Sequence, residues 1–461
     1  MPWPPKNIEA LLHPIRRLKH RLGPLWWYSS LMFAVSRVGD VVGLYIGMFL
    51  VPAVLAPEKL GAVLPLVKFG LLVAVPLGVV ARTAMKFIST LLVKEEHGKI
   101  KAILRDLAVL SCGVSVLIVL LMWLGWGFVE RRLKVDDDRI LWLLVATVVL
   151  TCWSPLAQSV SQGLKHFYRL ILARMLGPIG RLVVAVLLLQ QLQIVGYLLA
   201  NLAVMGVTLL LLGEGLTRYF RRDVPTSDYR DLLPEMMRYA VPIGLMTFMI
   251  SLQLTVEPWV VRHRLPALDS AGFYVAAMFG NIPLWVAPAM TPFLFPLVSE
   301  RFERGESTRR LHLQAMLFAG IIGAAISVGL LLFGDRLLSL RDAWAQYREY
   351  APYMWRIACV TTLDVLFSCH MIHESACRKF TFLRYLLPLI LGEVALLYIL
   401  MGWGALEGIV PSNAWQFVNS LFSLNLEFVI NFMLGARLLM AVGVVLDLMR
   451  GRPTKPSFAS A

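Results

Sequence analysis

Charge is scarce in this chain. Of 461 residues only 16% are Asp, Glu, Lys or Arg, against about a quarter in a soluble domain, and 58% are hydrophobic. Cysteine is scarce too. Cys112, Cys152, Cys359, Cys369 and Cys377 lie in or beside apolar stretches without regular spacing, which excludes a disulfide framework. The opening MPWPPKNIEALLHPIRRLKHRLG has no apolar core ahead of its basic cluster, so no cleaved secretory signal is expected. No Gly-rich phosphate loop follows a strand, and no Ser–His–Asp set stands out, so neither nucleotide-driven transport nor hydrolysis is indicated. No connecting segment is long enough to fold as a separate soluble domain.

Long apolar runs dominate what remains, and mean hydropathy is +0.70. Crossing a bilayer as helix takes about 20 residues. Runs of that order fall near 27–54, 62–83, 104–129, 140–160, 168–190, 194–217, 239–261, 269–297, 312–334, 350–371, 381–402 and 414–447. They predict an all-α polytopic membrane protein of about twelve transmembrane helices. The net charge of +15 would suggest nucleic acid in a soluble protein. Here, with a cytoplasmic N-terminus, about 29 Lys and Arg fall on the cytoplasmic side, about 10 outside and about 5 within spans. Both termini are therefore expected in the cytoplasm, and no nucleic-acid partner is. Ile8, Leu11, Leu12, Ile15, Leu18 and Leu22 follow helical spacing among basic residues, which fits an amphipathic segment on the anionic inner leaflet.

The polar stretch Arg218 to Arg238 divides the spans six and six. APEKLGA, with Pro57 and Gly61, follows the first span as LPALDSAG, with Pro266 and Gly272, follows the seventh. KEEHGK around Gly98 and ERFERGES around Gly305 occupy matching places. The offset of about 207 to 211 residues predicts two parallel-repeat six-helix lobes, related by an axis along the membrane normal. The expected domains are an amphipathic segment 1–26, a first lobe 27–217, a linker 218–238, a second lobe 239–448 and a tail 449–461.

Ionised side chains at membrane depth are costly and should face protein or water. Arg37 and Asp40 are one turn apart and can pair with each other, or Asp40 can hold Arg37 toward a cavity. Arg174 and Arg181 flank LGPIG two turns apart, where Gly177, Pro178 and Gly180 admit close approach of another backbone or a ligand. Glu257 lies deep in the seventh span. Arg262 and Arg264 at its end read mainly as interfacial anchors, with Arg262 a candidate to join the cavity. Lys68, Arg356, Asp364, Glu393 and Glu427 are further charges within spans, for which local pairing is the simplest account. CHMIHESAC puts His370, His373 and Cys377 on one helical face beside Glu374, but no second ligand pair accompanies them and the pattern is not HExxH; no metal or cofactor is expected. NIPLWVAPAMTPFLFP carries Pro283, then Pro288, Pro292 and Pro296 every four residues along one face. These free backbone carbonyls and mark a hinge or the wall of a wet cavity.

YAVPIGLMTFMISLQLTVEPWVVRHRLPALDSAGFYVAAMFGNIPLWVAPAMTPFLFPLVSERFERGE resembles the start of the second half of polysaccharide flippases, members of the multidrug/oligosaccharidyl-lipid/polysaccharide exporter superfamily. The likeness rests on Pro242, Ala271-Gly272-Phe273-Tyr274, Phe295-Pro296 and the polar loop Glu303 to Glu306. APEKLGA and SQGLKHFYRLILARMLGPIGRL resemble the equivalent first-half stretches, so it spans about 57 to 306. Glu257 stands where that family often has aspartate. Ser36-Arg37-Val38 also resembles the first-span arginine of peptidoglycan-precursor flippases, which usually have about fourteen spans. The resemblance implies an inner-membrane protein, not an enzyme, that moves a polyprenyl-pyrophosphate-linked oligosaccharide by alternating access for cell-surface polysaccharide synthesis. It would work as a monomer among membrane lipids and polysaccharide-synthesis proteins. Arg37, Arg174, Arg181 and Arg262 would bind the diphosphate, for which a planar guanidinium is suited, and Asp40, Glu257 and Asp364 would couple an ion or pair charges. The alternatives are an ion-coupled multidrug or cation exporter of the same superfamily, and a membrane-embedded polysaccharide polymerase or acyltransferase. A polymerase usually has a large outer loop that this chain lacks. A major-facilitator carrier is disfavoured because RTAMKFISTLLVKEEHGK lacks that family's Gly-Asp-Arg pattern.

Overall fold

A computed structural model describes residues 41–133, 138–164, 166–220, 224–285, 304–377, 379–400 and 425–450, with isolated positions at 35–39 and 294–302. The described residues form helices and short connections, without strands. The principal helices are α1 (Val41–Val54), α2 (Pro57–Val93), α3 (His97–Leu133), α4 (Asp138–Gly163), α5 (Phe167–Leu192) and α6 (Ile194–Phe220), then α7 (Leu233–Arg264), α8 (Ala267–Gly280), α9 (Arg309–Ser339), α10 (Ala351–Ala376), α11 (Leu383–Leu400) and α12 (Leu426–Arg450). Nine of them are long and apolar enough to cross a bilayer by length and composition alone. The chain is an all-α polytopic membrane protein of two parallel-repeat six-helix lobes.

Several helices outrun their expected spans. Helices α2 and α3 have 37 residues each, about 55 Å at the α-helical rise, against a hydrocarbon core of about 30 Å. Hydropathy alone marks the lipid-buried part of such a helix and misses its polar extension. Pro57 and Gly61, expected in a loop, instead open α2, with Pro57 in the first turn where its missing N–H costs nothing.

Backbone hydrogen bonds show the duplication. Leu55 N–H bonds Val51 O and Leu60 N–H bonds Ala56 O; 210 residues on, Leu265 N–H bonds Val261 O and Ser270 N–H bonds Pro266 O. At the other end of the hairpin, Glu96 N–H bonds Leu91 O, and Glu306 N–H bonds Arg301 O. Those turns use a left-handed residue at Glu95 (φ 60°) and at Gly305 (φ 71°), again 210 apart. Helices α4 and α10 have 26 residues each in a register of 213. One folding unit was thus copied, and its turn chemistry persisted where side-chain identity did not.

The lobes meet where α2 packs along α7 and α8. Within the first lobe α5 lies on α6 and α2 on α4; within the second α9 lies on α10, and α10 on α12. Apolar side chains such as Leu117, Leu121, Trp123 and Leu124 on α3, and Leu317, Ile321, Leu331 and Phe333 on α9, are exposed, as a lipid-facing surface requires. The described hydrogen bonds between the bundles all fall in one half of the molecule. Residues 45–50 of α1 form a π-helical segment, whose three carbonyls Gly47, Met48 and Phe49 accept bonds from Tyr274 (3.2 Å), Trp344 (2.8 Å) and Arg341 (3.1 Å) of the second half. Ser270 Oγ donates to Gly61 O (3.3 Å) and Trp259 Nε1 to Pro65 O (3.3 Å). This end is sealed. At the opposite end the linker is clasped to α3. Tyr229 donates to Asp106 (2.9 Å), burial beside that carboxylate pushing the phenol up to about 12, and Lys99 pairs with Asp231 (3.2 Å).

Candidate functional site

The second lobe holds a buried ionic core assembled from four helices. Arg437, one guanidinium in the otherwise apolar middle of α12, is fully buried. Its Nη2 donates to Glu257 of α7, its Nη1 to Glu393 of α11, and its Nε to Asp364 Oδ1 of α10 at 2.9 Å. The other oxygen of Glu393 accepts from Gln253 Nε2 of α7 (2.5 Å). Such a core survives in an apolar bundle only because each charge is met by fixed partners. Asp364 Oδ2 is the exception: it is buried and has no hydrogen-bond partner among the described residues. Three carboxylates thus surround one guanidinium. Lys68 of α2 approaches from the first lobe, within electrostatic reach of Glu257 and Asp364.

The sequence singled out Glu257, Asp364, Glu393 and Lys68 separately, with local pairing the simplest account for the last three. The partners come instead from different helices, because the bundle brings together Arg437 and carboxylates 44, 73 and 180 positions away. Arg437 was missed. Its signal was a lone arginine between LEFVINFMLGA and LLMAVGVVL, inside a stretch read as part of one long apolar run. Arg356, also expected to pair locally, reaches Glu427 (2.8 Å) and Asn431 (3.4 Å) of α12.

In the first lobe, Arg174 and Arg181 are both half-buried on the side of α5 that meets α1. A Cβ on Gly43 would lie 3.5 Å from Arg181 Nη1, and one on Gly39 would lie 3.0 Å from Pro178. Gly177 faces the other way: a Cβ there would lie 2.9 Å from Val204 of α6. The small residues of LGPIG therefore serve close packing of α6 as well as of α1. Arg181 donates to the Tyr197 hydroxyl (3.4 Å), with its guanidinium carbon 5.8 Å from that ring's centroid, and its charge reaches Tyr274 of the second lobe. Its partners among the described residues are aromatic, not acidic. It lies eleven residues from the end of α5, near mid-depth, beside the seam between lobes.

Arg262 is not the water-facing anchor that its place at a helix end suggested. Only 4% of it is exposed, and it lies at the sealed end near Glu58. Arg37, Asp40, Pro288, Pro292 and Pro296 lie outside the described residues. Pro283 does not sit in a continuous helix: α8 ends at Gly280 and a 3₁₀ turn over Ile282–Trp285 takes its place.

The histidine group gains a member that its sequence spacing could not show. His312 of α9 stacks on His373 with ring centroids 4.1 Å apart and meets His370 Nδ1 at 3.4 Å. Thr308 (2.9 Å to His373), Tyr385 (2.9 Å to His370), Cys377 and Glu374 complete the group. Among the described residues, no set of three or more His, Cys, Asp or Glu side chains is arranged to hold a metal ion.

No protein-family model matches this sequence, and no curated protein does. Solved structures do. An inward-facing multidrug resistance MATE family transporter of the MOP superfamily matches with a TM-score of 0.68 at 16% identity, over 91% of this chain and 97% of its own. A MATE structure in the bent conformation matches at 0.60 with 16% identity, over 91% and 93%. A MOP superfamily transporter from Pyrococcus furiosus, described as having a binding pocket of reverse polarity that suggests a different function, matches at 0.50 with 16% identity, over 92% and 94%. At such identity the likeness shows the fold, and this chain has the two-lobed helical fold of MATE transporters of the MOP superfamily.

Proposed function

We propose that this protein is an alternating-access flippase for a lipid-linked oligosaccharide, a polyprenyl-pyrophosphate glycolipid, in a bacterial inner membrane. Both termini are cytoplasmic in this reading, which makes the sealed end the outer one. The observation that carries it is Arg181: a guanidinium near mid-depth, at the seam between lobes, with aromatic partners among the described residues. A guanidinium in a partly desolvated place, with no carboxylate bound to it among the described residues, attracts anions, and its planar fork suits a diphosphate. Arg174, on the same side of α5, adds to that field. The carboxylates Glu257, Asp364 and Glu393 bond to Arg437 in the second lobe, so they present no open acidic surface to an organic cation. They serve the driving force: the core has fewer cationic partners than carboxylates, and Asp364 Oδ2 can take a proton or a small cation.

Replacing Arg181 by Gln tests the reading. Lipid-linked oligosaccharide should then accumulate on the inner leaflet at normal protein levels, and Lys should restore transport in part, keeping charge but losing the fork. Normal transport by Arg181→Gln would refute it. A cation exporter is the second reading, favoured by the unpartnered oxygen of Asp364; it requires that Asp364→Asn abolish drug efflux in a strain where the parent confers resistance.

A further inference from the structure

The two lobes present equivalent seams that differ in charge at matching positions. The register of 210 carries Lys68 onto Met278 and Glu257 onto Gly47. At the seam between α1 and α8, Met278 Sδ lies 2.8 Å from where a Cβ on Gly47 would sit, an apolar contact. At the twin seam between α2 and α7, those positions hold an ammonium and a carboxylate. The backbone there is fixed: Thr255 Oγ1 donates to Lys68 O (3.3 Å) and Trp259 Nε1 to Pro65 O (3.3 Å), which bracket Glu257 on α7. Lys68 is half-buried, and no oxygen among the described residues forms an ion pair with its ammonium within 4 Å. It faces Glu257 and Asp364 across the seam without being bound by either.

The charges facing Lys68 are Glu257 of α7, Asp364 of α10, Glu393 of α11 and Arg437 of α12, beside the neutral Gln253. With all ionised, the second-lobe core carries an excess of two negative charges, and Lys68 leaves one. An uncompensated charge within an apolar bundle draws in a counter-charge. The remaining place is Asp364 Oδ2, which has no hydrogen-bond partner among the described residues.

We propose that Lys68 is the first lobe's mobile counter-charge to the second lobe's carboxylates, and that one positive charge taken up at Asp364 and Glu257 weakens its hold and frees the seam between α2 and α7. A proton and a monovalent metal cation share the chemistry needed. Lys68 acts as a positioning residue: it converts occupancy of a site within one lobe into attraction or release between two. The inference rests on the exporter reading for its alternating cycle, but not on the identity of the substrate.

The test uses the full chain in lipid nanodiscs without glycolipid. Spin labels go on Lys94→Cys and Glu306→Cys, exposed positions in the matching turns of the two lobes. Double electron–electron resonance then reads the distance distribution during a sodium titration at constant pH, and during a pH titration with potassium as the only metal cation. The parent should shift in at least one titration, and the responsive arm names the coupling ion. Lys68→Met should fold, adopt the released distribution from the start and lose the shift, whereas Lys68→Arg should retain it. A merely structural lysine would change melting but leave the ion-dependent shift intact. An unchanged shift in Lys68→Met, or no shift of the parent in either titration, overturns the proposal. A shift that depends on Lys68, alongside normal glycolipid transport in Arg181→Gln, would sink the substrate assignment and leave this inference standing.

Discussion

Replacing Arg437 by Met removes the only guanidinium from a core of three carboxylates whose side chains are 6% (Glu257), 12% (Asp364) and 1% (Glu393) exposed. Three charge-assisted hydrogen bonds disappear, each worth about 1.5–3 kcal/mol. The full sum is not lost, because the carboxylates escape part of the penalty by taking up protons. Breaking a buried ion pair by removing one partner costs about 3–5 kcal/mol, and that is the expected loss here. The protons taken up supply the sign of the pH dependence: the native mutant binds more protons than its unfolded chain, so its deficit should grow in alkaline buffer and shrink in acid. Removing a carboxylate as well should relieve the damage, making Glu393→Gln/Arg437→Met more stable than Arg437→Met alone. The assay is thermal unfolding in detergent, followed by intrinsic tryptophan fluorescence at two pH values. A single mutant that melts like the parent at both, or a double mutant worse than the sum of its parts, would refute the ionic core.

Further predictions follow from particular contacts. A Cβ at Gly272 would lie 2.4 Å from the Tyr350 ring, so Gly272→Val should displace that ring and its bond to Asp269 (2.6 Å), costing about 1–3 kcal/mol; maleimide labelling of cysteines near Gly61 from the outer face should rise. Unchanged labelling would mean that the sealed end does not depend on this packing. Tyr229→Phe should release the linker from Asp106, speeding limited proteolysis within 224–232 roughly 5–10-fold, the equivalent of about 1–1.4 kcal/mol. Cysteines at Lys94 and Glu306 should stay unreactive to an impermeant reagent in intact cells, and labelling of either from outside would reverse the assigned orientation.

Much of the fold was legible because bilayer burial forces long apolar helices, and because the duplication left similar loop residues in both halves, as at Pro57 and Pro266, or Gly61 and Gly272. Helix lengths were less legible, since the polar ends of α2 and α3 leave the hydrocarbon and lose the hydropathy signal. The ionic core was half legible. Each of Glu257, Asp364 and Glu393 stands out as a charge in an apolar span, but only the packing of four helices shows that Arg437 joins them. Nothing local to α9 pairs His312 with His370 and His373. Arg181 stood out from its place beside LGPIG, whereas its aromatic surroundings come from α6 and α8.

The central claim is that Arg181 makes the seam an anion site. Binding of a polyprenyl diphosphate to the purified protein in nanodiscs, followed by native mass spectrometry with an organic-cation drug in parallel, tests it most directly. The account predicts that the parent binds the diphosphate, that inorganic pyrophosphate competes, and that Arg181→Gln weakens binding at least about tenfold, the equivalent of about 1.4 kcal/mol. Equal diphosphate binding by parent and mutant, or drug binding that pyrophosphate leaves untouched while the diphosphate does not bind, would contradict it.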